Sequence, residues 1–240
     1  MNQETVVQVA NVDPREAEKF DALAARWWDP DGDFRPLHDI NGPRVAYIEA
    51  RAALSGQRVL DVGCGGGLLC EAVRERGATV TGIDVADKPL GVARLHATAS
   101  GLDIDYRKIT AEAMAEQMVE SFDRVCCLEM LEHVPDPAET IRACAALCRP
   151  GGHLFFSTIN RSALAWSMAI VGAEYLLRLL PRGTHRYDRL IRPEELAAAC
   201  RRAGLEVREI TGMSYNPFSR TVRIGGPPRI NYLVHACKPD

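Results

Sequence analysis

The stretch Arg58-Val59-Leu60-Asp61-Val62-Gly63-Cys64-Gly65-Gly66-Gly67-Leu68 decides the fold. Arg58 to Val62 is a β-branched, apolar run that reads as a short strand, and Leu68 to Arg76 reads as helix. The glycines between them stand at a strand-to-helix turn, where the absence of Cβ lets backbone approach a ligand closely. The position at which a dinucleotide-binding GxGxxG places its last glycine holds Leu68, which argues against a nicotinamide or flavin enzyme. No Lys-Ser/Thr pair follows the glycines, so a P-loop is excluded. Asp84 closes the next strand about 20 residues on, where an acidic side chain accepts hydrogen bonds from ribose hydroxyls. Loop and acid together point to S-adenosylmethionine, with Gly63 and Gly65 as its closest backbone. Asp61 has two open roles: orienting the loop, or meeting the cofactor's methionine ammonium, a contact that an anionic phosphate ligand would not tolerate.

Outward from this loop, strands and helices alternate. Strands are predicted over Thr79 to Ile83, Ile104 to Ile109, Phe122 to Leu128 and His153 to Thr158, with helices over Lys88 to Ser100 and Ala138 to Cys148. This alternation predicts an α/β fold with a mostly parallel sheet, helices on both faces and ligands beyond the carboxyl ends of the strands. Towards the end, Glu194 to Ala203 reads as helix. Val207 to Thr211 and Tyr232 to Ala236 then read as an antiparallel pair closing a seven-stranded sheet. Before the first strand, Asp13-Pro14 caps a helix from Arg15 to Trp28, and a second helix runs from Ile40 to Ala53. Residues 1–54 thus form a helical cap on one domain spanning 1–240.

Composition narrows the class further. The chain is 47% hydrophobic and 25% charged with a formal net charge of -3, which gives no basic surface for nucleic acid. Met1 to Val12 carries neither the basic patch nor the apolar core of a signal peptide, so a cytoplasmic protein is expected. Eight cysteines occur without a CxxC pair, and small buried thiols explain them better than disulfides or zinc.

After the strand ending at Leu128 comes Glu129-Met130-Leu131-Glu132-His133-Val134-Pro135-Asp136-Pro137. If Glu129 to His133 forms a helical turn, Glu129, Glu132 and His133 share one face beside the cofactor. A phenol, with a pKa of about 10, must lose its proton before its oxygen accepts a methyl group. Two devices fit: His133 as general base, or Glu129, Glu132 and His133 as ligands of a divalent cation that acidifies the phenol. Hard oxygen ligands favour magnesium over zinc. Of the other histidines, His38, His96 and His153 have no acidic or cysteine company in the sequence, while His185 lies in a Gly183-Thr184-His185-Arg186 loop that is expected to border the substrate.

With Asp61-Val62-Gly63-Cys64-Gly65-Gly66-Gly67, Glu129 to Pro137, the Ala25-Arg26-Trp27-Trp28-Asp29 segment and Gly183-Thr184-His185 in this order, the chain resembles the bacterial ubiquinone biosynthesis O-methyltransferases from Asn11 through Tyr232. The resemblance implies the Rossmann-like fold of class I methyltransferases and O-methylation of polyprenyl catechol-type substrates at both such steps of ubiquinone synthesis. It implies cofactor contacts from Arg44 to the methionine carboxylate, from Gly63, from Asp84 to the ribose, and from Leu128 near the adenosine. Eukaryotic relatives suggest magnesium on the Glu129, Glu132 and His133 pattern.

Residues 161–192 fit least well into a plain α/β domain. Ala163 to Leu180 is rich in apolar residues but interrupted by Glu174 and Arg178, which excludes a membrane span. Arg182, Arg186, Arg189 and Arg192 follow, and apolar residues beside a basic cluster suit an anionic phospholipid surface. The segment is expected either to touch the inner face of the cytoplasmic membrane, where a polyprenyl tail resides, or to pack over the site or another subunit. Three rival readings remain: a methyltransferase of another small phenol or acid, a nicotinamide dehydrogenase opposed by Leu68, and a non-catalytic scaffold in a lipid-biosynthesis complex; a ubiquinone-biosynthesis complex is a separate candidate partner.

Overall fold

The computed structural model describes residues 11–167 and 187–240. Five strands form the parallel half of one sheet: β1 (Arg58–Val62), β2 (Thr79–Asp84), β3 (Asp105–Lys108), β4 (Phe122–Leu128) and β5 (Cys148–Ile159). Three more complete it antiparallel: β6 (Glu206–Asn216), β7 (Thr221–Ile224) and β8 (Asn231–Cys237). The order is β3-β2-β1-β4-β5-β8-β6-β7, with β8 antiparallel to both β5 and β6. The sheet has eight strands where the sequence predicted seven. The additional strand, β7, pairs only with β6 through Met213↔Ile224 to Asn216↔Thr221. Four residues on the outer edge, none of them fully buried, carry too little apolar alternation to stand out in the sequence.

Central strands of a parallel sheet are covered on both faces, and β1 shows it: Val59, Leu60, Asp61 and Val62 are all buried. Alternate residues feed two cores. Leu60, Val125, Cys127 and Phe156 pack with α6 (Pro137–Leu147) and α8 (Pro193–Arg202) on one face. Val59, Val80, Cys126 and Phe155 pack on the other with α2 (Arg35–Arg51), α3 (Leu68–Arg74) and α4 (Asp87–Ala99). A short helix, α5 (Ala111–Ala115), capped by the Thr110 side chain, was not expected from the sequence. A three-residue turn of helix, α7 (Ala163–Ala165), begins after Ser162.

The strand order reverses between β1 and β4, and a crevice opens there beyond the carboxyl ends of the strands. The N-terminal residues close over it. Asp13 caps α1 (Pro14–Leu23) by accepting from the Arg15 amide. The helix stops at Leu23 and tightens into a 3-10 turn at Ala24–Arg26, five residues before the predicted end at Trp28. Packing accounts for the early stop. Trp27 stacks on Phe34 with centroids 4.1 Å apart, and Trp28 lies flat on His96 at 3.4 Å, so both indoles turn towards the glycine loop. Asn11 anchors the segment from a buried position, donating to Glu112 and Thr140 and accepting from the Asp136 amide.

Candidate active site

The glycine loop is held by its own backbone and by one acid. Gly63 and Cys64 donate to the Ile83 carbonyl at 2.8 and 3.0 Å, and Gly65 donates to Asp84 Oδ2 at 2.9 Å. Gly63 (φ 75°) and Gly65 (φ 51°) occupy the left-handed region that side chains avoid. A Cβ would also collide with Met130 at Gly63 and with the Trp27 ring at Gly65. The close approach that demands glycine is therefore made here by side chains walling the same crevice. The second Asp84 oxygen accepts from the Ala86 amide at 2.8 Å. An ionised carboxylate offers about four lone-pair sites, so Asp84 braces the loop with capacity left for ribose hydroxyls.

The crevice is open to solvent, and Arg44, Asp61, Gly63, Gly65, Asp84, Leu128, Glu129 and His133 all line it. Glu132 does not. Arg44 comes from the middle of α2 and is buried with no hydrogen bond to any described residue. Its nearest acid, Glu129, stands 3.9 Å from Nη1. Burial lowers its pKa, opposed by Glu129 and Asp61. A buried guanidinium whose Nε meets no acceptor has a hydrogen-bond donor to spare, and a methionine carboxylate would fit that deficit. Asp61 lies beside it, accepting from the Cys70 thiol at 3.3 Å, and burial pushes its carboxyl up to about 7. The ammonium of a methionine moiety would supply the positive charge that keeps Asp61 ionised.

The segment after β4 departs from the predicted helical face. Only Leu131–His133 form a 3-10 turn, and Glu129 precedes it at φ 53°. The three side chains consequently diverge. Glu129 accepts from Ser157 Oγ at 2.7 Å and from Asn231, on the β5 and β8 side. Glu132 turns into the core and accepts from Thr158 Oγ1 at 2.8 Å, with Oε1 unpartnered. Burial, then the Glu129 charge, raises its pKa to about 8. Among the described residues, the group with ligand atoms close enough to share a metal ion is His153, His235 and Cys237; Glu129, Glu132 and His133 do not form one. As placed, these three side chains do not fit a magnesium ion.

His133 instead meets an acid that the sequence left unremarked. Glu16 Oε2, from the first turn of α1, lies 2.9 Å from His133 Nδ1, and the Phe20 ring meets the imidazole edge-on at 5.2 Å. An ionised carboxylate only accepts, so Nδ1 donates and Nε2 is the acceptor nitrogen of the neutral ring. The hydrogen bond to His133 holds the Glu16 carboxyl below its ordinary range. A separation of 117 positions conceals the partnership in the sequence. Two other histidines also have the company the sequence withheld: His96 lies 2.8 Å from Glu71, and His153 lies 3.4 Å from Cys237. His38 meets the Trp27 carbonyl. His185 and most of Ala163 to Leu180 fall outside the described residues.

A methyltransferase-domain model matches residues 34–210. The chain is 55% identical over 232 residues to the ubiquinone biosynthesis O-methyltransferase of Pseudomonas entomophila, covering 97% of this chain and 100% of the relative. It is 57% identical to that of Pseudomonas aeruginosa, covering 94% and 97%. The chain belongs to the ubiquinone biosynthesis O-methyltransferase family. It is accordingly an S-adenosylmethionine-dependent O-methyltransferase, and the dehydrogenase and scaffold readings fall. Solved structures share the family's class I methyltransferase fold. Magnesium protoporphyrin IX methyltransferase from Synechocystis with bound SAH superposes with a TM-score of 0.67 at 20% identity, covering 92% of this chain and 98% of that one. A methyltransferase from Bacillus halodurans gives 0.65 at 22%, covering 83% and 100%.

The residues that the family resemblance implies for cofactor binding, Arg44, Gly63, Asp84 and Leu128, all face one crevice. Leu128 ends β4 as an apolar wall, and Met130 covers Gly63 beside it.

Proposed function

We propose that this family member methylates the phenolic oxygen of polyprenyl catechol-type intermediates at both O-methylation steps, converting 3-demethylubiquinol to ubiquinol and 2-polyprenyl-6-hydroxyphenol to 2-methoxy-6-polyprenylphenol, with His133 as the base. The observation that carries the reading is the Glu16 to His133 contact of 2.9 Å at the crevice wall. Arg44 would hold the cofactor's carboxylate, Asp61 its ammonium, Asp84 its ribose and Leu128 its adenosine. S-adenosylmethionine bound there supplies an electrophilic sulfonium methyl. The chain's own work is to place the phenol, exclude water and take its proton. His133 Nε2 accepts that proton as the oxygen develops charge, and Glu16, fixed at Nδ1, stabilises the imidazolium that results. Glu129 stays beside Arg44, tied to Ser157 and Asn231, where it orients the guanidinium.

The cation device has less support, because Glu129, Glu132 and His133 diverge. Methylation of a short-chain demethylubiquinol analogue by the purified protein, with and without chelator, separates the two devices. An unchanged rate in chelator supports the histidine; loss of turnover restored by magnesium overturns it.

A membrane-facing role for residues 161–192 is supported by Leu164 and Trp166, both nearly half exposed where the segment begins. Among the described residues no helix is long and apolar enough to cross a membrane, so contact with the cytoplasmic leaflet would be peripheral. Vesicle flotation with anionic lipid tests this. Lipid binding undiminished by deletion of residues 163–180 would count against it.

A further inference from the structure

At the opposite end of the sheet from the crevice, β5 and β8 bring together two imidazoles and a thiol. His153 is the cross-strand partner of Cys237, and His235 precedes Cys237 by two residues on the same face. His153 also aligns with Arg124 near the start of β4, whereas the cofactor loops follow the other ends of β1 and β4. His153 Nδ1 lies 2.9 Å from His235 Nε2, Cys237 Sγ lies 3.4 Å from His153 Nδ1, and 3.8 Å separates Sγ from His235 Nε2.

We propose that His153, His235 and Cys237 form a binding site for a thiophilic d10 cation, zinc in the first instance, independent of the methyl-transfer site. The spacing supports it. Tetrahedral zinc with bonds of about 2.05 Å to nitrogen and 2.3 Å to sulfur sets its ligands about 3.3 Å apart for two nitrogens and about 3.6 Å apart for nitrogen and sulfur. The three observed separations bracket these values within about half an ångström, so side-chain torsions suffice to admit the ion. Two imidazoles and a thiolate are a borderline-soft donor set that disfavours magnesium and calcium. Three protein ligands leave a fourth position for water, and the half-exposed His153 and Cys237 give the ion a way in.

Arg51, Arg124 and Arg208 stand near the two rings. Those guanidiniums oppose an added cation. The Cys237 thiolate cancels one charge, and Glu209, the cross-strand neighbour of His235, places a carboxylate beside it. On binding, the ring that donates the shared N–H moves its proton to its outer nitrogen, and the thiol proton leaves to solvent.

The test uses full-length protein stripped with chelator and titrated with Co2+, then Zn2+. The expected result is about one equivalent of cobalt with a thiolate-to-metal charge-transfer band, displaced by zinc. Cys237→Ser should abolish the band and His153→Gln should weaken binding about tenfold or more, both with an unchanged methylation rate. His153 is only half buried, so its variant tests the site even if His235 variants fail to fold. A band that survives Cys237→Ser, or the lack of any saturable cobalt spectrum, overturns the proposal.

Discussion

The loops that follow β1 and β4 stand side by side over the same crevice, yet their shapes have different origins. The first is fixed within a few residues: glycines adopt left-handed φ values, and their amides bond to Ile83 and Asp84 on the neighbouring strand. The second is fixed from far away: Glu129 is held by Ser157 and Asn231, Glu132 by Thr158, and His133 by Glu16. A locally determined loop announces its chemistry in the sequence. A loop determined by tertiary partners offers the right residue types but not their directions.

The largest expected effect belongs to the second loop. His133→Ala removes the base, and general-base contributions of about 10²–10⁴-fold set the expected fall in kcat. Cofactor affinity, measured by calorimetry, should stay within about threefold, since affinity is assigned to the first loop and Arg44. A matching loss of affinity would erase the division of labour between the loops. Next comes Arg44→Met, which removes the buried guanidinium whose Nε meets no acceptor. A charge-assisted hydrogen bond is worth about 1.5–3 kcal/mol, so the dissociation constant for S-adenosylmethionine should rise about 10–100-fold. A variant that bound as tightly as the parent would move the methionine carboxylate elsewhere.

Glu16→Gln is the sharper probe of how the second loop works. The amide oxygen still accepts from Nδ1, so the ring keeps its orientation, but the charge that stabilises the imidazolium is gone. With that charge removed His133 protonates less readily, so the acid limb of the kcat profile should move to lower pH while the plateau drops about tenfold. A plateau that fell with no movement of the limb would reduce Glu16 to packing.

How much was legible follows the same division. The βα alternation, the glycine loop and the placement of Asp61 and Asp84 were readable because hydrophobic period and glycine conformation act over a few residues. Strand β7 was not, because four half-exposed edge residues are recruited by β6 rather than by their own pattern. The ligand face predicted for Glu129, Glu132 and His133 assumed α-helical spacing, and the positive φ of Glu129 removes it. Glu16 and the His153, His235 and Cys237 cluster arise from chain segments that only the folded sheet and the helical cap bring together.

The smallest effect on catalysis is expected at Glu132, where the two devices disagree most. A cation ligand replaced by glutamine should cost methylation about 10²-fold or more. A buried carboxyl outside the crevice should cost under about threefold, since glutamine still accepts from Thr158 Oγ1. Stability supplies an independent reading. Glu132 has a folded pKa near 8, raised by burial and by Glu129, against about 4.3 for an unperturbed glutamate. The folded state therefore retains a proton that the unfolded chain gives up, and stability declines as pH climbs through that interval. Glu132→Gln has no proton to lose there. Its thermal midpoint should gain on the parent from pH 5 to pH 8 by the equivalent of about 1–3 kcal/mol, at nearly unchanged turnover. A midpoint difference that stayed flat with pH would mean that Glu132 is already ionised, held by a positive charge beside it, and would return the cation to contention.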